Sequence, residues 1–233
     1  MEIRTALVTG ASRGLGRALA TALNARGWRL VVDAQDPGRL AATVAGLPRP
    51  DLVTAVPGDV ADPAHRSALA AAVPDRLDAL VNNASELGPS PLPRLADLAP
   101  EALTRLLAVN TVAPLALVQA VLPALRAAGG RVVDVSSDAA VAAYPGWGGY
   151  GASKAALDRL SAVLATEEPA LRVFALDPGD MRTAMHQAAF PGEDIGDRPE
   201  PESVVPALLR LLESEVPSGR YTAAELTPAG ARS

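Results

Sequence analysis

The sequence predicts an α/β fold, a single doubly wound domain with a mostly parallel sheet and helices on both faces. Three observations carry this. Short apolar runs alternate with stretches of helical spacing along the chain, the pattern of parallel strands joined by helical crossovers. The first apolar run feeds into a glycine-rich turn, Gly10-Ala11-Ser12-Arg13-Gly14-Leu15-Gly16, and then a helix. Strand, glycine turn, helix is the opening of a nucleotide-binding βαβ unit. Finally, 233 residues that are 49% apolar suffice for one sizeable core.

Taken in order, Ile3 to Thr9 reads as the first buried strand, and a helix runs from the glycine turn to about Arg26. Glycines let the backbone turn tightly against a pyrophosphate, and the helix N-terminus offers it unpaired N–H groups. Trp28 to Asp33 is the second strand, Pro37 to Gly46 a helix, and Leu52 to Val56 the third strand, followed by Asp59-Val60. Asp62-Pro63 opens the next helix, with Asp as N-cap and Pro in the first turn. Asp78 to Asn83 is the fourth strand and ends in Asn82-Asn83-Ala84-Ser85. Pro100 to Ala128 reads as one long helix containing Asn110 and Pro114. Pro114 has no N–H for the carbonyl of Asn110, which predicts a kink with that carbonyl free.

Val132 to Ser136 reads as a buried strand, with the hydroxyl of Ser137 just beyond it. The loop Asp138 to Gly149 carries Tyr144 and Trp147 and is expected to line a pocket. A helix follows from Tyr150, continued by Leu157, Leu160, Ser161 and Leu164. Leu171 to Leu176 is the sixth strand and leads into Asp177-Pro178-Gly179-Asp180-Met181-Arg182-Thr183. Residues 184–201 are polar and rich in Gly and Pro, which predicts a mobile substrate flap. His186 lies there and is expected to be solvated, without a role. Glu202 to Ser214 is the last clear helix, Gly219 to Thr222 a short final strand, and 223–233 a flexible tail.

Composition removes several function classes. The net charge is −5 with scattered Lys and Arg, which argues against a nucleic-acid partner. There is no cysteine, which excludes disulfides, thiolate metal sites and thiol nucleophiles. Two well-separated histidines make a structural zinc site improbable, and no metal is expected. No basic, apolar leader precedes the first strand, and no apolar run is seen that approaches the ~20 residues of a membrane span. The expectation is a cytoplasmic protein with no membrane partner.

The chemistry centres on Tyr150-Gly151-Ala152-Ser153-Lys154. Residues four apart on a helix share a face. A phenol ordinarily titrates near ~10, and a neighbouring ammonium is expected to lower that value. Tyr150 then trades a proton with an alcohol or carbonyl near neutrality.

These residues resemble the catalytic core of the short-chain dehydrogenase/reductase family, of the Tyr-x-x-x-Lys type, over residues 5 to about 183. The glycine spacing, Gly-x-x-x-Gly-x-Gly, is the form that family uses. The resemblance implies a Rossmann domain that moves a hydride between a nicotinamide cofactor and a small carbonyl or alcohol. It implies that Ser137 bonds the substrate oxygen, Tyr150 transfers the proton, Lys154 holds the ribose hydroxyls, and Asn110 positions a water by its main-chain carbonyl. Cofactor contacts are implied at Gly10, Ser12, Arg13, Gly14, Leu15 and Gly16, at Asp59 and Val60 for the adenine, and at Asn83 and Ala84. They are implied also at Tyr150, Lys154, Pro178, Gly179, Met181 and Thr183.

Ser85 departs from the family's Asn-Asn-Ala-Gly, and is strained if the position requires a positive φ. NADP is expected over NAD, because Arg13 suits a phosphate and the usual acid of NAD enzymes falls at the neutral Ala34. Asp33, one residue earlier, is expected on the opposite face of its strand. Family members usually pair through the Asn-bearing and Tyr-bearing helices, so a homo-oligomer, dimer or tetramer, is expected. The rivals are a non-catalytic nucleotide-sensing protein on the same fold and a sugar-nucleotide dehydratase or epimerase. The latter usually carries a larger C-terminal domain than this chain has room for.

Overall fold

The computed structural model describes residues 3–227. Seven strands form one sheet in the order β3-β2-β1-β4-β5-β6-β7, every neighbouring pair parallel. The strands are β1 (Thr5–Val8), β2 (Arg29–Ala34), β3 (Val53–Pro57), β4 (Ala79–Asn82), β5 (Arg131–Val135), β6 (Arg172–Asp177) and β7 (Gly219–Thr222). The order reverses between β1 and β4, and ligand crevices of such sheets open beyond the carboxyl ends of the strands at that point.

Alternation along the strands builds the two faces. Ala6, Val8, Leu30, Val32, Ala34, Val133 and Phe174 join one buried cluster with α1 (Gly14–Ala25) and α8 (Val205–Glu213). Leu7, Val31, Leu80, Val132 and Val173 join the other, with α3 (Pro63–Ala72) and α5 (Ala113–Ala128). A parallel sheet must be covered on both sides, and these two clusters do so. Helix starts follow local chemistry. Asp36 and Asp62 accept from Arg39 N and Ala64 N at the heads of α2 (Pro37–Ala45) and α3, each with a proline in the first turn.

The long helix expected from Pro100 to Ala128 is two helices, α4 (Pro100–Leu107) and α5, joined by a π-helical turn at Ala108–Val112. Pro114 falls in the first turn of α5, where its missing N–H is tolerated, so the interruption is a π turn that carries Asn110 and not a proline kink. The combined stretch meets the length and hydropathy of a membrane-crossing helix, with a mean hydropathy of 1.8 over an 18-residue window, which corrects the expectation of no such run. Half of that window is buried in the fold, as in a core helix.

Two further expectations change. Residues 184–201 contain a short helix, α7 (Ala184–Ala189), capped by the Thr183 side chain. The segment read as a tail starts with α9 (Ala223–Leu226), held by a capping box between Thr222 and Glu225, while residues 228–233 lie outside the described residues.

Candidate active site

The glycine turn is shaped by what it must touch. Gly10 has φ +67°, and a Cβ there would fall 2.9 Å from Ala84 Cα. A Cβ on Gly16 would fall 2.3 Å from the carbonyl oxygen of Gly10. Neither position accepts a side chain without moving backbone. The end of β4 is sewn to this turn: Asn83 Nδ2 donates to Thr9 O at 2.8 Å and Gly10 O at 3.2 Å, and Asn83 N and Ala84 N donate to Thr9 Oγ1. Arg13 is the N-cap of α1 but supplies no side-chain cap. Helices leave their first N–H groups unpaired, which makes such an end an anion site.

A cavity of about 690 Å³ runs from this turn across the sheet's carboxyl edge. Of the expected cofactor residues, Gly10, Ser12, Arg13, Gly14, Leu15, Val60, Asn83, Ala84, Tyr150, Lys154, Pro178, Met181 and Thr183 line it. Gly16, Asp59 and Gly179 are not among the lining residues. The Asp59 carboxylate, expected to accept from an adenine, receives Ala61 N at 2.9 Å and Arg105 Nη2 at 2.8 Å. Burial works to raise its pKa, but those two contacts hold it below the usual value. Arg105 is gripped in turn by Glu86.

Tyr150 and Lys154 lie in α6 (Gly148–Glu167), both buried. Gly151 lets α6 approach the 3₁₀ turn at Asp138–Ala140, since a Cβ there would fall 2.5 Å from Ala139 O. Ser137 caps that turn, accepting from Ala139 N at 3.1 Å and donating to Asp138 Oδ1 at 3.0 Å. Close helix packing thus brings the serine turn up to α6, and the Ser137 and Ser85 hydroxyls are among the groups that act to lower the Tyr150 pKa.

The expected lowering of the phenol by the lysine is corrected. Burial pushes Tyr150 up to about 12, the hydrogen bonds from Ser85 and Ser137 act against it, and Asp138 and Asp177 add to it. Lys154 Nζ is 5.6 Å from the ring centre and donates to Val135 O at 2.7 Å. Burial lowers Lys154 to about 8, opposed by Asp134 and Asp158. A buried phenol in low dielectric resists ionisation more than one ammonium at this distance favours it. At neutral pH Tyr150 therefore holds its proton.

Asn110 sits in the π turn with its amide committed. Nδ2 donates to Glu86 O at 2.8 Å and Ser153 Oγ at 3.0 Å, while Oδ1 accepts from Glu86 N at 2.9 Å and Ser85 Oγ at 3.2 Å. Its side chain thus fixes the loop after β4. Trp147 packs edge-on to Tyr150 with centroids 5.7 Å apart and lies 6.1 Å from Phe190. With Leu87, Ala139 and Ala189 they form an apolar wall beside the phenol. Tyr144 is exposed and bonds Asp138 Oδ2, and neither it nor Trp147 is among the residues that line the cavity. His186, expected to be solvated, is largely buried against Phe190, 3.8 Å from Asp180.

Three residues at the site escaped the sequence reading. Asp134 is buried beneath Lys154 and is bonded by Ser161 Oγ at 2.6 Å and Asn82 Nδ2 at 2.7 Å. Burial raises its pKa. Arg220 reaches Ser137 from β7. Ser85 lines the same cavity as Tyr150, with its hydroxyl donating to Asn110 Oδ1. A lone acid inside an apolar strand run, Val132-Val133-Asp134-Val135, was the available signal for the first.

Comparison with known proteins agrees with this geometry. The short chain dehydrogenase family profile matches residues 4–194. The short chain dehydrogenase asqE of Emericella nidulans is 37% identical over 70% of this chain, and the match spans 64% of asqE. The uncharacterized oxidoreductase YciK of Escherichia coli is 32% identical over 90% of this chain and 86% of its own length. Among solved structures, a short chain dehydrogenase from Escherichia coli complexed with NADPH superposes with a TM-score of 0.87 at 30% identity, covering 94% of this chain and 96% of that one. The sequence match, the sheet order and the Tyr150/Lys154 helix together place this chain in the short-chain dehydrogenase family of NAD(P)-dependent oxidoreductases.

Proposed function

We propose that the protein reduces a small, apolar carbonyl compound with NADPH, or oxidises the corresponding alcohol with NADP. The observation that carries this is the protonated Tyr150 phenol at the cavity wall, influenced by the Ser85 and Ser137 hydroxyls and backed by Lys154. The cofactor suits the residues present. Gly10 and Gly16 form a cradle that any side chain would fill, and the uncapped head of α1 faces the same cavity. Arg13 lines it beside the neutral Ala34 and Gln35, and a guanidinium pairs with phosphate through two hydrogen bonds. Asp33, the acid nearest to Ala34 in the chain, accepts from Gly10 N at 2.7 Å with one oxygen and meets His65 at 3.0 Å with the other. The related structure from Escherichia coli is an NADPH complex.

When bound, the cofactor supplies the hydride; the protein orients and polarises. Ser137 steadies the substrate oxygen, Tyr150 gives it a proton, and Lys154 holds the ribose side of the site. Asn110 fixes the loop that carries Ser85. Trp147, Leu87 and Phe190 favour an apolar substituent beside the reacting carbon. The adenine role of Asp59 and Val60, and the nicotinamide-side role of Pro178, Gly179, Met181 and Thr183, belong to the same reading.

A homo-oligomer is part of the proposal, supported by exposed Val112, Leu115 and Val163 on the two helices expected to pair. Sedimentation giving only a 23.8 kDa species at micromolar concentration would remove it. A cytoplasmic location suits the acidic, cysteine-free composition.

The test is a screen of aliphatic and aromatic aldehydes and ketones with NADPH, followed by cofactor absorbance. Turnover supports the proposal. Cofactor binding by calorimetry with no turnover across the screen would favour the nucleotide-sensing alternative.

A further inference from the structure

His65 stands in the first turn of α3, buried, with ring Nε2 3.0 Å from Asp33 Oδ2 in β2. The other oxygen of that carboxylate accepts from Gly10 N at 2.7 Å, and the main-chain oxygen of Asp33 accepts from Ala11 N at 2.8 Å. A carboxylate only accepts, so Nε2 is the donor of the pair. A continuous line of hydrogen bonds thus runs from an imidazole in α3, through Asp33, to the first glycine of the turn.

The ring has a second neighbour. A Cβ on Gly58 would fall 2.3 Å from His65 Nδ1, so the backbone there lies directly against the imidazole. Gly58 N donates to Ala34 O at 2.9 Å. Gly10, Asp33, Ala34 and Gly58 all line the cavity, whereas His65 is not among the lining residues. The imidazole therefore stands behind two parts of the cavity wall. One is the glycine turn, reached through Asp33; the other is the segment that leads into Asp59-Val60.

We propose that His65 is a positioning residue for the cofactor, which holds Asp33 so that the Gly10 turn and the Gly58 segment are set before the dinucleotide arrives. A site that is already ordered does not lose affinity to the cost of ordering it. The inference rests on the cofactor placement proposed above but not on the carbonyl substrate.

His65→Gln, His65→Asn and His65→Leu would be compared with the parent for NADPH Kd by calorimetry, thermal midpoint, and hydrogen exchange of the Gly10 amide by NMR. Gln carries its amide to about the place of Nε2 and Asn to about that of Nδ1, so only Gln reaches Asp33. Loss of a bond to a charged group should raise the NADPH Kd about tenfold in His65→Asn and His65→Leu. Exchange at Gly10 should quicken in both while Val133 in the sheet keeps its protection. His65→Gln should stay within about threefold of the parent. With a substrate from the carbonyl screen, kcat at saturating NADPH should remain parental in all three. Parental Kd and Gly10 exchange in His65→Asn would overturn the assignment, even if its thermal midpoint fell, since the ring would then serve stability alone. Equal losses in His65→Asn and His65→Gln would overturn it too, because the ring would be acting by its volume. Should His65→Leu fail to fold, the Asn and Gln pair decides. Absence of NADPH binding in the parent would overturn the cofactor placement itself, and this inference with it.

Discussion

Arg220 donates from Nη2 to the main-chain oxygen of Ser137 at 2.9 Å, although the two residues are 83 apart in the chain. The same guanidinium bonds Asp158 of α6 at 2.9 Å and Asp177 at the end of β6 at 3.4 Å. One cation thus ties the last strand, the Tyr150 helix and the serine turn. Arg220→Ala removes all three contacts and leaves two acids without their cation. Small displacements of reacting groups are costly, so kcat should fall by ~10- to 100-fold with a smaller change in cofactor affinity. Arg220→Lys keeps the charge but not the planar fork and should fall between. Steady-state kinetics on both variants checks this; an unchanged kcat in Arg220→Ala would remove the bracing role.

The lysine sets a pH limit. Lys154 loses its proton near 8 in the fold, whereas its ordinary value is 10.5. Its charge, and with it the proposed hold on the ribose, is present below about 8 and lost above. The reductive rate should therefore decline above that pH, although the Tyr150 phenol remains protonated up to about 12. Lys154→Arg, which does not titrate in this range, should lose the limb along with some activity. Stability carries the opposite sign. Between about 8 and 10.5 the unfolded chain binds the proton that the folded one has released, so this group's contribution to stability rises with pH. Denaturant midpoints in the parent and in Lys154→Met, compared across that window, should show the slope only in the parent.

Much of this was readable from the sequence because the carriers are local. The strands alternate, the glycine turn is contiguous, and Tyr150 and Lys154 are one helical turn apart. Gly219 to Thr222 was placed to the residue. What was missed depends on register and burial. Arg220 meets Ser137 only because β7 pairs with β6 at a particular offset, Leu176 against Tyr221. The sign of the Tyr150 shift was misjudged because spacing shows that a cation is near but not how dry the phenol is. The π turn was read as a kink because a proline signals an interruption without saying which register relieves it.

Gly16 tests the cradle apart from the chemistry. Gly16→Ala would set a Cβ 2.3 Å from Gly10 O and 2.5 Å from Asn83 Nδ2. Backbone must move, which costs about 1–3 kcal/mol by the usual range for overpacking. NADPH affinity should fall at least tenfold, since the displaced carbonyl belongs to the turn itself. Thermal melting and calorimetry measure the two effects, and parental values in both would show that the turn has slack that its geometry does not suggest.

Cofactor choice is decided by which acids and bases remain free near Ala34. Asp33 lies on the face of β2 opposite to Ala34, buried with Val31, and both its oxygens are engaged by Gly10 N and His65. Those two bonds turn the carboxylate toward the glycine turn and His65, although the residue also lines the cavity. Arg13 has no such commitment to a carboxylate among the hydrogen bonds and ion pairs described, and it lines the cavity beside Gln35. Arg13→Ala should therefore weaken NADP by ~10- to 100-fold, the worth of a charge-assisted pair, and leave NAD nearly unchanged. Ala34→Asp should add the missing acceptor and repel the 2′-phosphate, moving the preference toward NAD. Asp33→Asn, which keeps an oxygen for Gly10 N, should leave the ratio of the two affinities within about threefold of the parent, a change of under 1 kcal/mol. Calorimetric titration of all three variants with both cofactors settles the matter. A larger shift in Asp33→Asn than in Arg13→Ala would show that the buried aspartate, through the Gly10 turn, governs the choice.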